Sequence, residues 1–184
     1  MNYNLESLIK SFERKEKLKY LFFWGHRKSK SGQLTASCLS QWWVAPFVVD
    51  NVVYPTAEHW MMAQKALLFN DAENHQRIIA TKTPAEAKKL GRQVKNFKEE
   101  LWAEKRFEWV VKGNLEKFGQ HLQLGRFLLD TKDKILVEAS PYDRIWGIGM
   151  ASDDARAGNP KQWNGLNLLG FALMEVRDQL NKTN

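Results

Sequence analysis

The segment Tyr54-Pro55-Thr56-Ala57-Glu58-His59-Trp60-Met61-Met62-Ala63-Gln64-Lys65 constrains this chain more than any other stretch, because it sets an acid and an amine on the apolar side of one helix. Pro55 and Thr56 read as a helix start, with Thr56 as N-cap. Glu58 falls in the first turn, where the positive end of the helix dipole favours a carboxylate. Lys65 follows two turns later on nearly the same face. Met61 and Met62 lie between them, and Leu68 and Phe69 beyond. Two opposite charges on an otherwise apolar stripe describe a pocket better than a solvated face. His59 points off that stripe and reads as structural or as a helper.

At 184 residues, 43% hydrophobic and 12% aromatic, the chain has the length and composition of one folded domain with a core. No apolar run approaches the roughly 20 residues that span a bilayer, so no membrane partner is expected. The opening Met-Asn-Tyr-Asn-Leu-Glu lacks the basic-then-apolar order of a signal peptide. With Cys38 alone, no internal disulfide and no cysteine-built zinc site can form, and a cytoplasmic home is the simplest expectation. His26, His59, His75 and His121 show no metal-ligand spacing, so no metal is expected. Net charge is +7. The first 32 residues hold eight Lys/Arg against three Asp/Glu, so +5 of the excess sits there. That end attracts phosphates, or is simply a solvated face.

Along the chain, residues 5–18 carry an amphipathic helix pattern, and Tyr20 to Trp24 read as a buried strand opening into a basic loop that ends at Gly32. Val48-Val49 and Val52-Val53-Tyr54 flank Asp50-Asn51, a tight hairpin turn. Residues 71–80 form a short helix. Thr83-Pro84-Ala85-Glu86 opens another with a capping box, and Gly91 ends it. Residues 98–112 are helical, Gly113-Asn114 interrupts, and 115–118 resumes. A helix over 120–129, a strand over 134–139, an irregular stretch over 140–164 and a last helix near 166–180 complete the chain. That helix is expected to bury Leu166, Leu169, Leu173, Val176 and Leu180.

Two further segments carry chemistry. In Glu138 to Gly149, a strand empties into a loop with Asp143, Trp146, Gly147 and Gly149, a common way to build a pocket floor. The two glycines let backbone approach a ligand and offer N–H donors to phosphate or ribose oxygens. The plain alternatives are a turn cap for Asp143 and core packing for Trp146. In Trp163 to Gly170, Asn167 either caps the last helix or aims its amide at a sugar hydroxyl, and the cap is favoured. Trp24, Trp42, Trp43, Trp60, Trp102 and Trp109 are core by default, with one or two left to stack on a flat base.

These segments resemble the NADAR family (YbiA-like): Leu39-Ser40-Gln41-Trp42 with Ala45-Pro46-Phe47, Thr56 to Trp60 with Ala63-Gln64-Lys65, Glu138 with Asp143 to Gly149, and Trp163 to Gly170. The resemblance runs from about residue 20 to 180. It implies a single compact, mostly helical α+β domain over 20–184, with 1–19 as an amphipathic helical extension outside it. It implies an N-glycosidase. Family members cleave the bond between ribose 5-phosphate and the pyrimidine of early riboflavin-pathway intermediates, and others remove ADP-ribose from guanine in nucleic acid. By motif position Glu58, Lys65 and Asp143 carry over as catalytic. Ser40, Gln41, His59, Arg92, Trp102, Trp146, Gly147, Gly149 and Asn167 carry over as substrate contacts, Arg92 for phosphate. Gln41 departs from the family's usual Ser-Asn. No cofactor is implied, and the partner is a small nucleotide-like substrate.

Two mechanisms suit these residues. In one, Glu58 or Asp143 activates water, the other orients the ribose, and Lys65 holds phosphate or hydroxyl oxygens. In the other, Lys65 attacks the sugar and forms a Schiff base, its amine freed by burial. Along the helix axis Glu58 and Lys65 stand ~10 Å apart at ~1.5 Å per residue. A nucleic-acid-binding module is the rival class, disfavoured because the basic residues cluster at one end instead of interleaving with aromatics. A sensor that binds NAD or ADP-ribose without cleaving it is another.

Overall fold

The computed structural model describes residues 3–183. Among them are seven α-helices and four short strands, an α+β arrangement dominated by helices. The chain forms two compact units, one made of everything up to Ser40 together with Gly125 onward, the other of Gln41–Leu124.

In the first unit, β1 (Tyr20–Phe23) lies parallel to β4 (Ile135–Glu138), with Tyr20 opposite Ile135 and Phe23 opposite Glu138. α7 (Leu168–Thr183) packs on β4. A Cβ on Gly170 would overlap the Leu136 carbonyl, so only glycine lets helix and strand approach this closely. α1 (Leu5–Glu13) packs against a 3₁₀ turn at Pro160–Gln162, where Lys161 Nζ meets Glu13 at 2.6 Å. Three expectations are corrected here. The first helix stops at Glu13 instead of 18, where Lys15 takes a left-handed φ of 58°. Trp24 is not core: it is 56% exposed, with its ring 6.2 Å from that of exposed Tyr142. The last helix begins at Leu168, which leaves Leu166 exposed in the preceding loop.

The second unit opens with a hairpin of β2 (Phe47–Val49) and β3 (Val52–Tyr54). Asp50 and Asn51 both take positive φ, 49° and 63°, as a two-residue turn between right-twisted strands requires. α2 (Ala57–Leu68), α3 (Ala72–Ala80), α4 (Pro84–Gly91) and α5 (Glu99–Gln120) follow, and α2 packs against the other three. Thr83 and Glu86 form the expected capping box. Asp71 caps α3 by accepting from Asn74 N at 3.2 Å. α6 (Leu122–Leu129) contains the boundary between the units.

α5 corrects the sequence reading most sharply. It runs unbroken for 22 residues, straight through Gly113-Asn114. Gly113 is a contact point, not a break, since a Cβ there would overlap the Trp60 indole. Trp60 in turn donates its Nε1–H to the Trp109 carbonyl at 2.7 Å. Glycine's poor helix propensity, roughly 1 kcal/mol, is offset by burial of an indole, about 1.5–3 kcal/mol or more. Gly91 plays the same part on α4, where a Cβ would overlap Met62.

Candidate active site

The first turn of α2 is built as its sequence directs. Thr56 is extended and accepts from His59 N at 3.4 Å, and its hydroxyl shares a hydrogen bond of 2.7 Å with His59 Nδ1. Residues 57–63 are all buried, so α2 enters the core on every side. His59, expected off the buried face, is itself 0% exposed. Burial, the largest influence, lowers its pKa, against smaller upward pulls from the Thr81 backbone and Glu86. A neutral imidazole tied to the N-cap holds the helix start and offers its Nδ1 to no ligand.

Glu58 is 3% exposed. Its backbone N–H donates to the Gln41 carbonyl at 3.0 Å, which pins the chain before β2 to the start of α2. The Gln41 side chain is buried too, its Oε1 accepting from Asn114 Nδ2 at 2.8 Å. Asn114 also donates to the Val110 carbonyl at 2.8 Å, one helical turn back. Gln41, Asn114 and the first turn of α2 are thereby joined. In the sequence Gly113-Asn114 reads as a helix break, which hides Asn114 as a buried partner inside α5.

Lys65 sits two turns along α2 and is half-buried. Its Nζ lies 3.9 Å above the Phe97 ring and 5.8 Å from the Trp102 ring. Trp102 is buried on α5, tilted against Trp109 at 5.9 Å. Burial lowers the lysine pKa most, Glu99 raises it, and Arg92 lowers it further. Arg92 is exposed at the C-terminus of α4, after Gly91. Lys65, Arg92 and Trp102 therefore share one neighbourhood, and Phe97 and Glu99 belong to it without having been foreseen. Neither shows a motif in the sequence. Only the turn before α5 lays Phe97 under the amine.

In the first unit, Ser40 is buried just after the 3₁₀ turn Ala36–Leu39. Asp143 Oδ1 accepts from the backbone N–H groups of Ile145 and Trp146 at 2.9 and 2.8 Å, a turn of the kind Asp favours. Trp146 is half-buried. Gly147 packs so tightly that a Cβ would stand 2.8 Å from the Glu138 carbonyl. Gly149 has φ 67° and spends its N–H on the Asp143 carbonyl at 3.1 Å, so that donor serves the loop and not a ligand. Asn167 neither caps the helix with its side chain nor presents its amide. Fully buried, it accepts from Glu138 N at 3.0 Å and donates to the Leu136 carbonyl at 2.9 Å. Among the described residues, no three His, Cys, Asp or Glu side chains gather as metal ligands, and no helix is long and apolar enough to cross a membrane.

Known proteins resemble this chain in sequence and fold. The NADAR domain family model matches residues 22–181. N-glycosidase R617 of Acanthamoeba polyphaga mimivirus is 39% identical over 166 residues, covering 88% of this chain and 96% of the viral protein. N-glycosidase YbiA of Escherichia coli (strain K12) is 34% identical over 135 residues, covering 73% of this chain and 76% of that protein. The NMR structure of the E. coli protein YbiA matches with a TM-score of 0.70 at 27% identity, over 90% of this chain and 86% of that one. Both of these relatives are named N-glycosidases, a class of hydrolase, and this chain belongs to the NADAR domain family.

Proposed function

We propose that the chain hydrolyses the C–N bond between ribose 5-phosphate and the aminopyrimidine of early riboflavin-biosynthesis intermediates, with Lys65 as nucleophile. One observation carries this reading: the Lys65 amine is half-buried against aromatic rings, and burial is the largest influence on its pKa, favouring the neutral amine that can attack. The amine attacks the anomeric carbon, the C–N bond to the base breaks, and the base leaves with a proton. The ring oxygen takes up a proton as the sugar opens to a Schiff base on Lys65. Water then adds to the imine carbon, the C–N bond to lysine breaks, and the sugar leaves as the free aldose. One water is consumed overall.

Glu58, on the same helix, is the proposed proton carrier, giving to the leaving base and taking from the water. Trp102 is proposed to offer a flat face to the base, and Arg92 to attract phosphate. Residues 1–19 lie before the matched stretch 22–181 and hold none of these groups, which supports reading them as an extension to the catalytic domain.

The test is release of free base from the ribosylaminopyrimidine 5-phosphate, with ADP-ribosylated guanine DNA offered in parallel. Borohydride added during turnover should fix one sugar to Lys65, read by mass, and Lys65→Ala should show none. Turnover without an adduct overturns the covalent route. Cleavage of the nucleic-acid substrate alone moves the assignment to that substrate, and no cleavage of either ends the proposal.

A further inference from the structure

α1 precedes residues 22–181, where the family model matches, and its inner face does not pack solid. The helix leans on the 3₁₀ turn at Pro160–Gln162, and between it and α7 lies a cavity of about 260 Å³. Protein interiors leave few voids larger than a water molecule, so a space of this size needs a cause. Ser7 and Ser11 supply it. Four residues apart on one face of α1, both line the cavity with side chains too short to reach the opposite wall. That wall is built of buried Ile135, at the start of β4, and of buried Phe171 and Met174 on α7. All of these residues belong to the first unit.

The lining is selective in charge. The chain carries +7, yet among the described residues no Lys, Arg or His lines this cavity, and its one carboxylate is Asp133. A hydrogen bond from Lys19 is the largest influence holding the Asp133 carboxyl below its ordinary value, so it is an anion at neutral pH. Lys19 Nζ meets Asp133 Oδ2 at 2.8 Å with both side chains more than half exposed. Such a pair is worth little, so a second ammonium can take the place of the first. Tyr3 also lines the cavity, but its hydroxyl is spent on Asp178 Oδ2 at 2.7 Å. An anion finds no cation on these walls. A cation finds Asp133, and an apolar body finds a phenyl ring and a thioether, both good partners for an aromatic ring. The volume lies somewhat under the roughly 300 Å³ at which pockets for drug-sized ligands begin, which suits a body of one ring.

We propose that this cavity binds a small primary amine with a single-ring apolar body, its ammonium on Asp133 and its ring against Phe171 and Met174. The bound amine ties α1 to α7 and β4. Its chemistry is opposite to that of a ribosyl phosphate, which Asp133 repels, and neither Glu58 nor Lys65 takes part.

Phenethylamine titrated into the full chain tests this, followed through the methionine methyl resonances. The Met174 signal, assigned with Met174→Leu, should shift and saturate, while those of Met61 and Met62 on α2 remain unmoved. Phenethylamine should bind about three- to fivefold tighter than phenethyl alcohol and at least about tenfold tighter than phenylacetate, the order that an exposed carboxylate imposes. Asp133→Asn should erase the preference for amine over alcohol and leave the affinity for the alcohol unchanged. Ser11→Leu fills the space and should weaken amine and alcohol alike by at least about tenfold. Leucine is also the better helix former, so α1 persists in that variant. Asp133 is exposed, so its variant reads the site even where Ser11→Leu disturbs α1. Shifts at Met61 or Met62 in place of Met174, or a Kd weaker than about 10 mM, overturn the proposal. So does phenylacetate binding as tightly as phenethylamine, or an amine preference that survives Asp133→Asn.

Discussion

At Lys65 burial and charge compete within a few ångströms. The Phe97 face and Glu99 favour the ammonium, while burial and Arg92 favour the amine. Because the lysine pKa is lowered from 10.5, the folded protein binds fewer protons than the unfolded chain between the folded value and 10.5. Stability attributable to this group therefore rises with pH across that window. Activity has its own sign. The protonated amine cannot attack, so kcat/KM should climb with pH to a midpoint below 10.5. A rate profile with no such limb, or one that Lys65→Ala leaves unchanged, counts against the nucleophile. Glu58→Gln keeps the shape and loses the proton carrier. Its kcat should fall by at least ~10²-fold while ligand binding measured by calorimetry persists. Turnover near normal in that variant would remove Glu58 from the mechanism.

Among elements, the α2–α5 contact and the α3 cap each tie separate stretches of the second unit together. Gly113→Ala should gain up to ~1 kcal/mol in helix propensity and lose more by forcing the Trp60 indole aside, a net loss of about 1–2 kcal/mol in urea unfolding. A stabilised Gly113→Ala would mean the helices part freely. Asp71 caps α3 and also accepts from Lys95 N at 2.9 Å, the bond that does most to hold its pKa below 3.8. Asp71→Ala should cost about 1–2 kcal/mol at neutral pH. The sign follows from the lowered pKa. The stabilisation is full above 3.8 and is lost as pH falls through the folded value. The gap between wild type and variant should therefore narrow in acid, measured by denaturation at a series of pH values.

On the scale of the whole molecule, the first unit is discontinuous in sequence, closed by a parallel pair whose strands are more than a hundred residues apart. Such a pairing forms late, since loop closure costs entropy before the contacts repay it. Asn167 holds this closure together. Its amide ties the loop before α7 to both Leu136 and Glu138 of β4, from a backbone at φ 54°. Asn167→Gly keeps that backbone easy and deletes only the amide. It should lower unfolding stability by about 1–3 kcal/mol, read as a shifted urea midpoint. An unchanged midpoint would show that β1 and β4 do not need the clamp.

Local chemistry was readable in the chain because its rules act over a few residues. Asp50-Asn51 had to turn, Thr56 and Thr83 had to cap, Glu86 had to close its box, and the motifs around Glu58, Lys65 and Asp143 already marked the family. Four matters depended on partners far along the chain, and periodicity carries no record of them. Gly113 belongs in a continuous helix only because Trp60 fills the space above it. His59 is buried because α2 is covered on every side, where a stripe predicted one. Phe97 reaches the lysine only through the turn that leads α5 onto α2. Asn167 serves β4 because the parallel pairing brings a distant strand to its amide. The sequence by itself determined caps, turns and family. The tertiary structure alone decided which polar groups packing consumes and which it leaves to meet a ligand.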